Sequence, residues 1–250
     1  MSRRRQPGAG DEAGFSLIEL MIAMSVTLVL MAIASTLVSA AFNTRTRENV
    51  RSDALADAQR AINIMTREIA NAGFNLTTNG LVDGDSGLDA LGRGSIRVRS
   101  NLNKYDSGAS AAAQGGIGVA GADAGEDVKF FLADSANTTY LVRYDRFGDA
   151  QSTVLANRVD ALRFFFYADR VTYATGDCQN LLNPTLITNV QNSAGAAAAQ
   201  VAPSAAKYVV MAACIRLEAV GSPGASGYQP ASSVLLVSDV ALRNMYLSEY

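Results

Sequence analysis

The side chains able to do chemistry are few, and one of them stands in an unusual place. No His occurs among the 250 residues, which removes the commonest general base, the commonest metal ligand and the usual partner of a Ser or Cys nucleophile. The Ser, Asp and Glu residues form no recognisable catalytic set, so neither enzyme activity nor a cofactor is expected. Cys178 and Cys214 are too few for a four-ligand zinc site and too far apart for a C-x-x-C redox motif, which leaves a disulfide or two quiet thiols. In "DGDSGLD", Asp83, Asp85 and Asp89 have a spacing that resembles a calcium loop. Glutamate is missing from its twelfth position, and a solvated polar turn with no metal is the expectation. The remaining group is Glu19, a carboxylate near the start of the apolar run Phe15 to Ala41. A charge at the bilayer centre costs about 2.5 to 3.5 kcal/mol on insertion scales and persists where it has a partner or a task.

The elements that must position Glu19 follow from hydropathy. As a helix, the run Phe15 to Ala41 extends about 40 Å, against a hydrocarbon core of roughly 30 Å, so it can span a membrane. Arg3, Arg4 and Arg5 precede it and Arg45 is the next basic residue, which places residues 1–14 in the cytoplasm and the rest outside. A cleaved secretory signal is the other reading, since Val38, Ser39, Ala40 and Ala41 are small or apolar. It is opposed by the length of the run, by Glu19, and by helical periodicity that continues past the cut. Leu55, Ala58, Ile62, Met65, Ile69 and Ala72 make one apolar stripe, with Arg51, Asp53, Asp57, Arg60, Arg67 and Glu68 off it. Gly73 offers a left-handed C-cap, with Phe74 placed to pack back on Ile69. The reading is one helix from Phe15 to Ala72, whose apolar stripe must be covered by the residues that follow.

Gly14, Phe15, Ser16, Leu17, Ile18 and Glu19, after an arginine-bearing leader and before an apolar helix, resemble the processing signature of type IV prepilins and the related pseudopilins. The resemblance implies cutting between Gly14 and Phe15 by a membrane-embedded prepilin peptidase, and N-methylation of Phe15. Physically, Gly14 leaves the scissile bond unhindered. The cut creates a cationic amine one helical turn from Glu19, and an amine paired with the Glu19 carboxylate of a neighbouring subunit offsets the burial cost of both. Glu19 would then draw a new subunit into register; the plainer alternative is a carboxylate that snorkels to the membrane surface. Asp11 and Glu12 depart from an all-basic leader, and Thr36 stands where many major pilins carry a helix-centre proline. "INIMTREIANAGF", "TTYLVRYD" and "LANRVDALRFFFYAD" look like the helix end and successive strands of W-type minor pilins and J-type pseudopilins.

Downstream, Asp127 to Ala133, Thr139 to Tyr144, Val159 to Ala168, Lys207 to Val220 and Ser233 to Arg243 read as antiparallel strands. Residues 107–126 and 192–206, made almost wholly of small residues, read as mobile loops. Outside the membrane the milieu is oxidising, so a bridge between Cys178 and Cys214 is expected. The resulting organisation is a leader at 1–14, a transmembrane half-helix at 15–41, an amphipathic half at 42–73 and a β-rich domain at 74–250, an α+β pilin-like fold. By resemblance the chain is expected to be a minor pilin of type IV pilus assembly, or else a minor J-type pseudopilin of type II secretion. Its expected partners are the prepilin peptidase, other minor and major pilins, the inner-membrane assembly platform and the membrane. The chain would sit in the inner membrane with its C-terminal domain periplasmic, and then in the pilus. A net charge of −2, with its one arginine cluster in the leader, argues against nucleic acid.

Overall fold

A computed structural model describes residues 15–88, 92–102, 123–135, 138–148, 151–179, 185–225 and 228–244. Gly14 and the leader, Asp89 and most of the 107–126 stretch lie outside the described residues. One helix, α1 (Leu17–Ala70), carries the N-terminal half of the pattern. Ten strands follow among the described residues, and every pairing between them is antiparallel. A five-stranded sheet has the order β1 (Gly87–Leu88), β2 (Gly94–Arg99), β3 (Asp127–Ser135), β4 (Thr138–Asp145) and β5 (Ser152–Asn157). A three-stranded sheet runs β10 (Ser232–Ala241), β9 (Tyr208–Leu217), β6 (Val159–Tyr167), and β7 (Val171–Thr175) pairs with β8 (Ile187–Asn192). The chain divides into two units, Met1–Thr46 with Val220–Gln229, and Arg47–Ala219 with Pro230–Tyr250.

In the first unit, the apolar part of α1 exposes Leu17, Ile18, Met21, Leu28 and Met31 to the surroundings. The 220–229 loop is closed by a pair of hydrogen bonds, each 3.0 Å, between the backbones of Val220 and Gln229.

In the second unit, the remainder of α1 buries Ala54, Ala58, Ala61, Ile62, Met65 and Ile69 against Ile96, Phe130 and Leu132 of the larger sheet and Phe164, Val209, Met211 and Ile215 of the smaller one. Three alanines on the seam let the helix backbone lie close to the strands. Strand β9 is buried on both faces apart from Arg216, as a near-continuous apolar run should be. Its other face meets two further clusters: Ala161, Cys178, Leu186, Ala212 and Cys214, and Tyr167, Val171, Ile187, Tyr208 and Val210.

The structure corrects several expectations. Strands β1, β2, β5, β7 and β8 are additional to those expected, β1 having two residues and the others five or six of mixed polarity. Gly73 does adopt a positive φ of 75°, but Phe74 is exposed, and its carbonyl accepts from the Asn101 N–H at 2.8 Å. The Gly73 N–H leaves the helix and donates to the Arg99 carbonyl at 2.9 Å. The 192–206 stretch is fastened instead of loose. The Asn79 amide donates to the carbonyls of Pro203 (2.6 Å) and Ala206 (2.9 Å), and the Val201 N–H donates to Phe166 (2.9 Å). Its small side chains are an advantage here, because Ala206 is fully buried.

Candidate functional site on the apolar helix

Phe15 and Ser16 precede the helix, and α1 starts at Leu17, so Glu19 occupies its first turn. There the carboxylate lies near the helix's unsatisfied N–H groups and the positive end of its dipole. The Ser16 carbonyl accepts from the Leu20 N–H at 3.1 Å, continuing the helical ladder back to the second residue after Gly14. Phe15 is 85 % exposed, and the side chain of Glu19 is exposed as well. Among the described residues Glu19 has no hydrogen bond or ion pair.

Three hydroxyls of the run are treated differently. Ser25 donates to the Met21 carbonyl at 2.8 Å, Thr27 to Ala23 at 2.7 Å and Thr36 to Ile33 at 2.8 Å. Each of these hydroxyls is satisfied within its own helix, as a hydrocarbon environment demands. The run therefore answers its own polarity at these hydroxyls and leaves the carboxylate open. An 18-residue window of α1 reaches a mean hydropathy of 2.4 with no part of it buried, which meets the length and composition needed to cross a bilayer.

The remaining candidate residues lie in the β-rich unit. Cys178 and Cys214 form a disulfide with their Cα atoms 5.8 Å apart, fastening the segment after β7 to the centre of β9. Asp83 and Asp85 lie in one 3-10 turn but face different partners. Asp83 accepts from the Ser204 N–H (2.6 Å) and hydroxyl (2.7 Å), and Asp85 is paired with Arg97 (2.6 Å) and Lys129 (2.8 Å). Asp85 is held below the usual carboxylate range, first by the Lys129 hydrogen bond and then by Arg97. Among the described residues no cluster of three or more His, Cys, Asp or Glu could hold a metal ion.

Two charge networks are not apparent from the sequence. Arg97 forks onto Asp127 with two contacts of 2.7 Å while its third nitrogen reaches Asp85. With Lys129, Tyr144 and Arg146 these residues line a cavity of about 250 Å³. Arg143 joins Glu68 of α1 (2.9 Å) to Asp145 (3.2 Å), so Glu68 is a helix-to-sheet tie instead of a solvated charge. The only signal for the first network is charge at alternate positions, Arg97 and Arg99 against Asp127 and Lys129, which puts like-facing residues on one side of paired strands.

Residues 10–35 match the family model described as the prokaryotic N-terminal methylation motif. No curated protein and no solved structure matches the chain. The motif, carried on a long apolar N-terminal helix, supports a type IV pilin-like protein, of the pilus or secretion kind. It also implies processing by a prepilin peptidase and association with the membrane.

Proposed function

We propose that the chain is a minor pilin that takes part in initiating type IV pilus assembly, acting through packing and charge pairing within the membrane and performing no catalysis of its own. The observation that carries this reading is the methylation motif at residues 10–35, on a helix that leaves Glu19 without a partner among the described residues. In this reading the peptidase cuts between Gly14 and Phe15 and methylates the new amine, and Glu19 receives the Phe15 amine of a neighbouring pilin. Partners are then other minor and major pilins and the inner-membrane assembly platform. The β-rich unit lies in the periplasm before assembly and on the pilus after it.

Mass spectrometry of the N-terminal peptide, from cells with and without the prepilin peptidase, tests the first step. A peptide beginning at methylated Phe15, found only with the peptidase, is expected. A mature terminus at Ala41 would mean an ordinary secreted domain. Deleting the gene then separates the two assemblies: loss of surface pili supports the minor pilin, whereas intact pili with cargo retained in the periplasm would make the chain a J-type pseudopilin.

A further inference from the structure

Successive residues of a strand point to opposite faces of its sheet. Ile96, Val98, Val128 and Phe130 belong to the core that α1 covers, so Arg97, Arg99, Asp127 and Lys129 stand on the other face. The register sets them in rows. Arg99 lies opposite Asp127, and Arg97 lies opposite Lys129, whose partner on β4 is Tyr144. Arg146, just past β4, is brought to the same place by its N–H, which donates to the Asp127 carbonyl at 3.0 Å. Asp85 joins from the 3-10 turn through Arg97 and Lys129. Four cations therefore meet two carboxylates on one face of the sheet.

Both carboxylates are already engaged. Arg97 donates to each oxygen of Asp127, and its third nitrogen and the Lys129 ammonium donate to the two oxygens of Asp85. What is left over is cationic. The Arg99 Nε lies 3.3 Å from Asp127 but lacks the alignment of a hydrogen bond, and it is buried with no hydrogen-bond partner among the described residues. Arg146 comes no nearer to Asp127 than 3.9 Å, and its guanidinium otherwise stands 5.6 Å from the Phe147 ring centre. Lys129 carries three donors and gives one of them to Asp85. A network that served the fold alone would balance its charges, because like charges held this close repel. This one keeps a surplus of two positive charges and several unused N–H groups beside a cavity of about 250 Å³.

We propose that this cavity binds a free, doubly charged tetrahedral oxyanion, hydrogen phosphate or sulfate, between Lys129 and Arg146. A dianion matches the surplus, whereas a chloride or a single carboxylate would leave one positive charge uncompensated. The guanidinium fork of Arg146 suits the spacing of two oxygens on such an ion, and the Lys129 ammonium serves as a point charge beside it. Arg99, flanking Asp127, adds attraction from outside the cavity lining. The cavity is smaller than the roughly 300 to 1,000 Å³ of pockets that take organic ligands, which favours the bare ion over an ester of it. Asp85 and Asp127 hold the Arg97 fork in place, and their charges are already counted in the surplus.

The test is equilibrium dialysis of the full chain, purified in mild detergent, against radiolabelled inorganic phosphate at constant ionic strength. Saturable binding of one phosphate per chain is expected, displaced by sulfate and not by acetate. Arg146→Gln removes a cation that makes no hydrogen bond to either carboxylate, so it spares the Arg97 fork and should weaken binding by roughly tenfold. Lys129→Gln should do the same, and it serves where the Arg146 variant fails to form the Cys178–Cys214 bond, checked by thiol titration. Arg216→Gln, a half-exposed cation paired with Glu218 away from this cluster, should leave binding unchanged. Displacement by acetate as effective as by sulfate would overturn the proposal, as would undiminished binding in a variant whose disulfide has formed. An equal loss in Arg216→Gln would reduce the effect to general charge. Stronger displacement by glucose 6-phosphate than by sulfate would overturn the assignment to the bare ion.

Discussion

Arg97 shows what one side chain contributes here. It is 16 % exposed, its side-chain hydrogen bonds go to carboxylates, and its Asp127 partner is 4 % exposed. A lysine has no planar fork and cannot give Asp127 two parallel bonds while also reaching Asp85. Arg97→Lys should therefore cost about 2 to 4 kcal/mol of unfolding free energy, read as a lowered urea midpoint, because Asp127 keeps its charge and loses its bidentate partner. Two carboxylates of the same unit should respond to pH with opposite sign. Asp85 is held low by Lys129 and Arg97, so it adds stability above its ordinary value of 3.8 and loses that contribution as pH falls through its folded value. Glu68 is pushed up from 4.5, chiefly by burial and against the pull of Arg143. Its contribution is greatest below 4.5 and is lost as pH rises through the folded value. Urea midpoints should show the difference between wild type and Glu68→Gln moving in the variant's favour as pH rises above about 4.5, and the difference between wild type and Asp85→Asn moving in the variant's favour as pH falls below about 3.8.

At the scale of elements, the turn after α1 is where two backbones come closest. The Arg99 N–H donates to the Gly80 carbonyl at 2.7 Å, and a Cβ on Gly80, whose φ is 75°, would lie 2.2 Å from both the Arg99 oxygen and the Gly73 nitrogen. Gly80→Ala should destabilise by about 2 to 4 kcal/mol, since backbone cannot give way as a flexible side chain can. A similar loss for Gly195→Ala, at a φ of 77° but with nothing within 4 Å, would show that φ alone matters. The same region marks the limit of what periodicity reveals. The stripe from Ala58 to Ala72 announces α1 because its spacing is local, and β9 is legible because "YVVMAACI" is apolar without interruption. Ala54 and Ala61 are hard to see as seam residues because alanine carries little hydropathy, yet small size is what a close helix–sheet approach needs. Strands β7 and β8 escape notice because "VTYAT" and "ITNVQN" alternate weakly. The fastening of residues 192–206 is invisible in one dimension because its donor, Asn79, lies 124 positions before Pro203. At the candidate site, Glu19 is conspicuous because a lone carboxylate in an apolar run stands out along the chain; the network around Arg97 is not, because it forms only when distant segments pair.

Within the second unit, the sheet β10-β9-β6 is a middle layer with the part of α1 from Arg47 onward on one face and the β7–β8 segment on the other, and the two faces are held by different means. The α1 face is held by Met65, Ile69, Met211, Ile215 and their neighbours in one extensive cluster. The opposite face relies on two small clusters and on the disulfide, which spans 36 positions. Closing a loop of that size stabilises by roughly 3 to 4 kcal/mol in the chain-entropy model. Replacing both Cys178 and Cys214 with Ala should lower stability by about that much, but unevenly. Limited proteolysis should cut first in residues 171–192, while the segment of α1 from Arg47 onward stays protected. Simultaneous loss of protection at α1 and at β7–β8 would show instead that both faces fold as one cooperative layer. The N-terminal signal lies within residues 10–35, in sequence far from either cysteine. On the proposed reading, the double variant should therefore still yield a methylated Phe15 peptide in cells that contain the peptidase, while its steady-state amount falls as the loosened face becomes open to proteases. An unprocessed variant would mean that the β-rich unit must close before the leader can be cut.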